Sequence, residues 1–348
     1  MCDGRWGIQL ARTAATTACV LLWGCTSFYS PRVALAPASD RAAPSAAASH
    51  GRVVSLDDER FSARAVTLGE RAPQTFLARG LGDVYLLEDF DAGRIPVLFV
   101  HGIKGSPRDF RYLIQGLDRR KYQAWVYYYP SGEGLGAAAG QLQLAVHTLE
   151  QRYATGELIV VAHSMGGLIA RDFVLRHARS GSDVRIPLLV TLSTPWSGHR
   201  AAAYGIRLAL RVKPSWYDIV PDSPYLARLF AGAEQGFGGL PATTRHHLIF
   251  SYLERSGSRK EAGDEVVTLA SQLRAAAQAE ACRIYGFETS HMGVLTDERV
   301  AALLNRLLRD VGAEDVGGSL VAGAQECGGL HNHTGDGGTR LATDVQAP

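Results

Sequence analysis

Residues Glu157–Asp172 read E-L-I-V-V-A-H-S-M-G-G-L-I-A-R-D. The run Leu158–Val161 is apolar and β-branched, as a strand buried on both faces requires. The chain then turns through Ala162-His163-Ser164-Met165-Gly166-Gly167. It leaves on a helical pattern in which Leu168, Ile169, Phe173 and Leu175 are candidate buried positions. Strand, tight turn and helix with a serine at the apex is the context of a nucleophile elbow. Such a turn has no room for bulk two residues either side of the serine. Ala162 and Gly166 fill those places, so one methyl separates this turn from the more usual pair of glycines. The alternative is a buried strand-to-helix turn with an incidental serine, and the rest of the chain decides between them.

A serine hydroxyl is a weak nucleophile near neutral pH. It needs a base, a group that orients the base, and donors for the oxyanion. The candidate base is His291, in Thr289-Ser290-His291-Met292-Gly293-Val294, a loop between the last expected strand and a closing helix. His163, His199, His246 and His247 are rivals, but His291 alone combines the Ser-Asp-His chain order with a loop at a strand's carboxyl end. The candidate orienting acid is Asp264 in Gly263-Asp264-Glu265-Val266-Val267-Thr268, with Glu265 and Asp297 as alternatives. The candidate oxyanion donors are backbone N–H groups. Met165 supplies one at the start of the helix, where the dipole also favours negative charge. Ile103 supplies the other, in His101-Gly102-Ile103-Lys104-Gly105.

The 348 residues are 46% hydrophobic and 20% charged, which suits one large α/β domain with attachments. With 36 Lys+Arg against 34 Asp+Glu and no basic stripe interleaved with aromatics, nucleic acid is excluded as an expected partner. Ile95–Val100, Tyr122–Tyr129, Arg185–Ser193, His247–Leu253 and Arg283–Phe287 read as strands. Ala137–Arg152 and Asp297–Val311 read as helices, and Ser106 with Pro107 as another helix start. Thr75–Gly80 and Asp83–Phe90 read as two short strands. This alternation predicts a mostly parallel, doubly wound sheet. Trp196–Pro241 breaks it, rich in aromatics and lacking a strand pattern. It is expected to be a partly helical lid insertion or, failing that, a surface elaboration packed on the core.

Outside residues 52–311 the composition changes. Residues 1–25 resemble an export signal: Arg5 and Arg12 precede the short apolar run Thr13–Trp23, which is too short to span a bilayer. Leu22-Trp23-Gly24-Cys25 resembles a bacterial lipobox, in which Cys25 is lipidated, although Trp23 is large for that place. The alternative is a secretory peptide cut elsewhere. Residues 26–51, rich in Ala, Pro and Ser from Pro31 to His50, read as a disordered tether. Together they predict an exported protein held by an N-terminal lipid anchor to the membrane of a bacterial envelope, periplasmic or at the outer membrane. Residues 312–348 are Gly-rich and expected to lack structure. Cleavage before Cys25 leaves Cys282 and Cys327, either a disulfide or two free thiols. No metal-ligand spacing occurs among the cysteines.

Six segments together resemble the α/β-hydrolase superfamily: V-L-F-V-H-G-I-K-G-S, V-V-A-H-S-M-G-G-L-I-A-R, L-S-T-P-W-S-G-H, D-S-P-Y-L, G-D-E-V-V-T and S-H-M-G-V-L. Within it the chain is similar to bacterial triacylglycerol lipases and to GPI-inositol-deacylase-like hydrolases. The resemblance implies an α/β-hydrolase fold, Ser164, Asp264 and His291 as the triad, and hydrolysis of an ester or lipid without a cofactor. Acyl transfer by the same triad, or a non-catalytic binding role on this fold, stays open, as does the oligomeric state.

Overall fold

The computed structural model describes residues 50–208, 212–232, 239–254 and 262–314. In chain order its elements are α1 (Ala63–Arg71), α2 (Pro73–Ala78), β1 (Asp83–Leu86), β2 (Ile95–Val100), α3 (Arg111–Gln115), β3 (Tyr122–Tyr128), α4 (Leu135–Arg152), β4 (Ile159–His163) and α5 (Met165–His177). There follow β5 (Leu188–Leu192), α6 (Arg200–Leu208), α7 (Pro214–Ile219), α8 (Pro224–Phe230), β6 (Arg245–Tyr252), α9 (Leu269–Gln272), α10 (Ala275–Glu280), β7 (Arg283–Glu288) and α11 (Glu298–Glu314).

The seven strands form one sheet in the order β1-β3-β2-β4-β5-β6-β7. Only β1 runs antiparallel to its neighbour. Residues of β3, β4 and β5 are buried throughout, as expected where helices cover both faces. Alternation persists inside these apolar runs. Leu98, Val100, Val160 and Ala162 join the core under α4 and α5. Val97, Phe99, Ile159 and Val161 point the other way, toward Val300, Leu304 and Leu308 of α11. This is the α/β-hydrolase fold, with the carboxyl ends of β2, β4, β6 and β7 along one edge of the sheet.

Two expected strands differ. Thr75–Gly80 lies largely in helix α2, because Pro73 stands at its first turn with φ already set for a helix. Its one buried side chain, Phe76, meets Tyr128 edge-on at 4.9 Å, so one residue anchors the segment and no alternating face is needed. The strand expected over Asp83–Phe90 ends at Leu86. Beyond it, Glu88 accepts from Arg94 across a turn and from Arg119 in the loop before β3. The helix expected at Ser106 opens as a 3₁₀ turn, Pro107–Phe110, that runs into α3, and the Asp109 carboxylate accepts the Ser106 N–H.

The insertion between β5 and β6 is helical, as α6, α7 and α8. Trp196, Tyr225 and Phe230 are buried, Trp216 is half-buried, and Tyr204 and Tyr217 are exposed. Phe230 lies between two guanidinium groups, Arg171 at 4.3 Å and Arg274 at 4.2 Å, and meets the Trp196 ring edge-on at 5.9 Å. Arg171 is fully buried. It forms a two-point ion pair with Glu280 of α10 and donates to the Leu229 carbonyl of α8. One side chain of α5 therefore ties the insertion to the helix before β7.

The export signal, Cys25, the tether and the tail from residue 315 onward lie outside the described residues. Cys282 is disulfide-bonded. Its expected partner, Cys327, also lies outside them. No helix among the described residues is long and apolar enough to cross a membrane. Phe230→Ala should lower the unfolding free energy by about 3 kcal/mol, the cost of emptying a packed aromatic site. Urea unfolding of the purified variant reads this directly, and a loss below about 1 kcal/mol would show that Phe230 does not anchor the insertion.

Candidate active site

Strand β4 delivers the chain to Ser164 at a backbone angle that side chains avoid. Ser164 has φ 53° and ψ −130°, a conformation that costs of order 1–3 kcal/mol in a residue with a side chain. The surroundings hold it there. The Ser164 N–H donates to the Leu192 carbonyl of β5 at 2.8 Å, and the Ser164 carbonyl accepts from Gly167 at 2.9 Å. Packing explains the small residues. A Cβ on Gly166 would lie 2.4 Å from both the Val100 and His101 carbonyl oxygens, which are backbone and cannot yield. A Cβ on Gly167 would lie 2.0 Å from the Thr194 hydroxyl oxygen. The turn is thus wedged between the ends of β2 and β5.

The structure brings Ser164, His291 and Asp264 into one hydrogen-bonded line. His291 Nε2 is 2.9 Å from the Ser164 hydroxyl oxygen, and His291 Nδ1 is 2.7 Å from Asp264 Oδ2. A carboxylate can only accept here, so Nδ1 carries the proton and Nε2 presents its lone pair to the serine O–H. All three are buried. The backbone fixes the same relation, because the His291 N–H donates to the Asp264 carbonyl at 3.0 Å. Glu265, the alternative acid, is exposed, and Asp297 pairs with Arg299 at 2.6 Å.

Asp264 is fully enclosed and accepts five hydrogen bonds. Oδ2 takes His291 Nδ1–H, the Ser251 hydroxyl at 2.8 Å and Gln272 Nε2–H at 3.2 Å. Oδ1 takes the N–H groups of Val266 at 3.1 Å and Val267 at 2.7 Å. Burial raises the carboxyl's pKa, but the bond to His291, its charge, and the Val267 and Ser251 donors outweigh that and hold it below the ordinary value. The group is therefore ionised at neutral pH and aimed at one edge of the imidazole.

Sequence reasoning missed the groups that support this line. Gln272 also donates to the Ser251 and Val267 carbonyls and accepts the Ser251 N–H, so it clamps the Asp264 loop to the end of β6. Ser251 shares a 2.6 Å hydrogen bond with Ser193 at the end of β5. No local motif marks these residues, because their roles depend on strands meeting far apart in sequence. His163 did stand out as a rival base. Its Nε2–H instead donates to the His291 carbonyl at 2.9 Å, so it steadies the loop that carries the imidazole. His246 and His247 lie at the start of β6, away from the carboxyl edge, and His199 donates to the Val266 carbonyl at 2.7 Å.

Met165 is the first residue of α5, where an N–H has no acceptor within its own helix. Ile103 sits in the loop leaving β2, and that loop lies against the serine: a Cβ on Gly102 would be 2.8 Å from Ser164 Cβ. His101 shapes this loop. It is buried, stacks on Tyr129 at 4.3 Å, donates from Nδ1 to the Gly102 carbonyl and accepts the Tyr129 N–H at Nε2. The Tyr129 hydroxyl in turn donates to the His101 carbonyl at 2.7 Å. The site thus combines a base-activated hydroxyl with backbone donors at a helix N-terminus, an arrangement suited to acyl transfer. Among the described residues no group of three or more His, Cys, Asp or Glu side chains is placed to hold a metal ion.

Residues 91–220 match a family model described as PGAP1-like alpha/beta domain. No curated protein sequence matches the chain. Among solved structures, the mature form of Bacillus licheniformis lipase BlEst2 is similar at 14% identity and a TM-score of 0.49, covering 64% of this chain and 94% of that one. The product of gene lin2722 from Listeria innocua gives 14% identity and a TM-score of 0.47, over 62% of this chain and 94% of its own. Aspergillus fumigatus lipase B gives 16% and 0.46, over 65% and 55%.

Burial holds four histidines of this edge and its supporting strand neutral. His163 and His246 are pushed down to about 3, and His101 and His247 to about 4, from an ordinary value of 6.5. Below pH 6.5 the unfolded chain takes up protons at these positions that the folded chain refuses, so stability falls as pH falls. The urea midpoint should drop steadily between about pH 6.5 and 5. A midpoint that stays level or rises across that window would contradict the buried, neutral assignment.

Proposed function

We propose that the chain is a serine hydrolase of carboxylic esters, lipase- or esterase-like, working through an acyl-enzyme. The observation that carries this reading is the continuous hydrogen-bonded line from Asp264 through His291 to a hydroxyl held out of the sheet at Ser164. His291 Nε2 takes the Ser164 proton as the oxygen attacks the ester carbonyl. Asp264 keeps the imidazole in the required tautomer and stabilises the imidazolium. The Ile103 and Met165 N–H groups receive the negative charge that develops on the carbonyl oxygen. His291 then gives its proton to the departing alcohol. Water, deprotonated by the same imidazole, attacks the acyl-enzyme and releases the acid.

Surface chemistry beside the site favours an ester with an apolar acyl part. Val266, two residues from Asp264, and Met292, next to His291, are both exposed apolar side chains. Tyr204 and Tyr217 present two more on the helical insertion, which we read as a lid. The Leu22–Cys25 motif and the tether complete the proposal, placing the enzyme at a bacterial envelope membrane through a lipid on Cys25.

Ser164→Ala should reduce hydrolysis of a p-nitrophenyl ester by about 10⁶ in kcat with the fold intact, since the residues of such a line act as a unit. Asp264→Asn should cost about 10⁴, because the amide leaves the imidazole in the wrong tautomer. Folded Ser164→Ala protein with near-full activity would remove the proposal. A series of acyl-chain lengths on the unaltered chain then separates an esterase from a lipase.

A further inference from the structure

Away from this edge, α8 packs across the far half of α5, and a cavity of about 240 Å³ lies between them. Helix α5 and the turn beyond it contribute Asp172, Arg176 and Arg179; α8 contributes Tyr225 and Arg228; Gly136 of α4 also lines it. Asp172, Arg176 and Arg179 recur at helical spacing, as do Tyr225 and Arg228, so α5 with the turn after it and α8 both turn guanidinium groups to one space. The helix dipole favours a cation near the end of each helix, but it does not aim three of them into a common cavity.

The charges in this cavity do not balance. Arg176 donates to both carboxylate oxygens of Asp172, at 2.8 and 3.2 Å, which accounts for one guanidinium. Neither Arg179 nor Arg228 makes a side-chain hydrogen bond among the described residues, although Arg228 lies near enough to the Asp218 carboxylate to favour its charged form. The lining therefore carries three arginines against one carboxylate, with donors to spare. Position 136 borders the same space: a Cβ there would make ordinary contacts, 3.8 Å from the Tyr225 ring and 3.9 Å from Arg176 Nη2. Arg176 stands about 18 Å along the helix axis from Ser164, so the cavity is separate from the ester chemistry.

We propose that this cavity is an anion site for a phosphoryl group, either free or carried on a lipid headgroup. A guanidinium offers a planar fork of donors that matches phosphate oxygens in pairs. Two forks that make no hydrogen bond among the described residues, Arg179 from the turn after α5 and Arg228 from the insertion, can both close on such a group. Occupancy would then bridge the insertion to the core through Arg228 and Arg179.

The test is titration calorimetry of the full chain with inorganic phosphate. Alongside it runs co-sedimentation with vesicles of phosphatidylcholine alone or of an equimolar mixture with phosphatidylglycerol. Arg179→Gln and Arg228→Gln are exposed substitutions whose folding is checked by circular dichroism. Each should weaken binding about tenfold, as expected for losing a hydrogen bond to a charged group, and the double variant should abolish it. Loss confined to phosphate identifies a free anion as the source. Loss of retention on phosphatidylglycerol vesicles identifies a headgroup. If the unaltered chain binds phosphate no better than the double variant, and both sediment equally with each vesicle, the proposal is overturned. Neither readout involves ester turnover, so it stands or falls apart from the hydrolase reading.

Discussion

The hydrogen bond between His291 Nδ1 and Asp264 Oδ2 is the constraint on which the rest of the site depends. It joins a loop after β6 to a loop after β7, and it can form only if those strands are neighbours in register. They are: Ser251 pairs with Phe287 and Tyr252 with Glu288 at the carboxyl edge. The backbone repeats the join, with the Thr289 N–H on the Tyr252 carbonyl and the His291 N–H on the Asp264 carbonyl. The imidazole position therefore follows from sheet pairing. Parallel strands place their carboxyl ends together, which is why His291, 127 positions along the chain from Ser164, can meet its hydroxyl.

Holding that hydroxyl in place is costly, and the cost is spread. Ser164 occupies an unfavourable backbone region, and Asp264 is a carboxylate taken out of water. Close packing at Gly166 and Gly167 offsets the first, since the strand ends leave the turn no other path. Five donors offset the second. Arg171 carries the same logic into the insertion. A fully buried guanidinium is tolerable because Glu280, a carbonyl of α8 and the Phe230 ring surround it. The helix that begins at the serine thus also anchors the segment that follows β5.

Much of this was legible in the sequence. The elbow, the loop after β2 and the Asp264 and His291 loops each carry a local signature, because tight turns and strand ends restrict residue type directly. The sheet was legible through its apolar runs. Local reading erred at Thr75–Gly80, where a proline at the first helical turn outweighed an apolar, β-like composition. Gln272, Ser251 and Ser193 had no local signature, since each is defined by a partner on another strand. His163 was conspicuous but ambiguous. Only the fold shows that its proton goes to a backbone carbonyl and not to the serine. The cationic cavity escaped for a similar reason, because Arg228 joins Arg176 and Arg179 only when α8 packs on α5.

The most direct test of the central claim is covalent. The full chain would be treated with a fluorophosphonate, digested and mapped by mass spectrometry. The account predicts a single stoichiometric adduct on Ser164, formed rapidly by the folded protein and lost on unfolding, because only the assembled line of Asp264, His291 and a strained hydroxyl makes this serine nucleophilic. Folded protein that leaves Ser164 unlabelled, or labels other serines as fast, would contradict it.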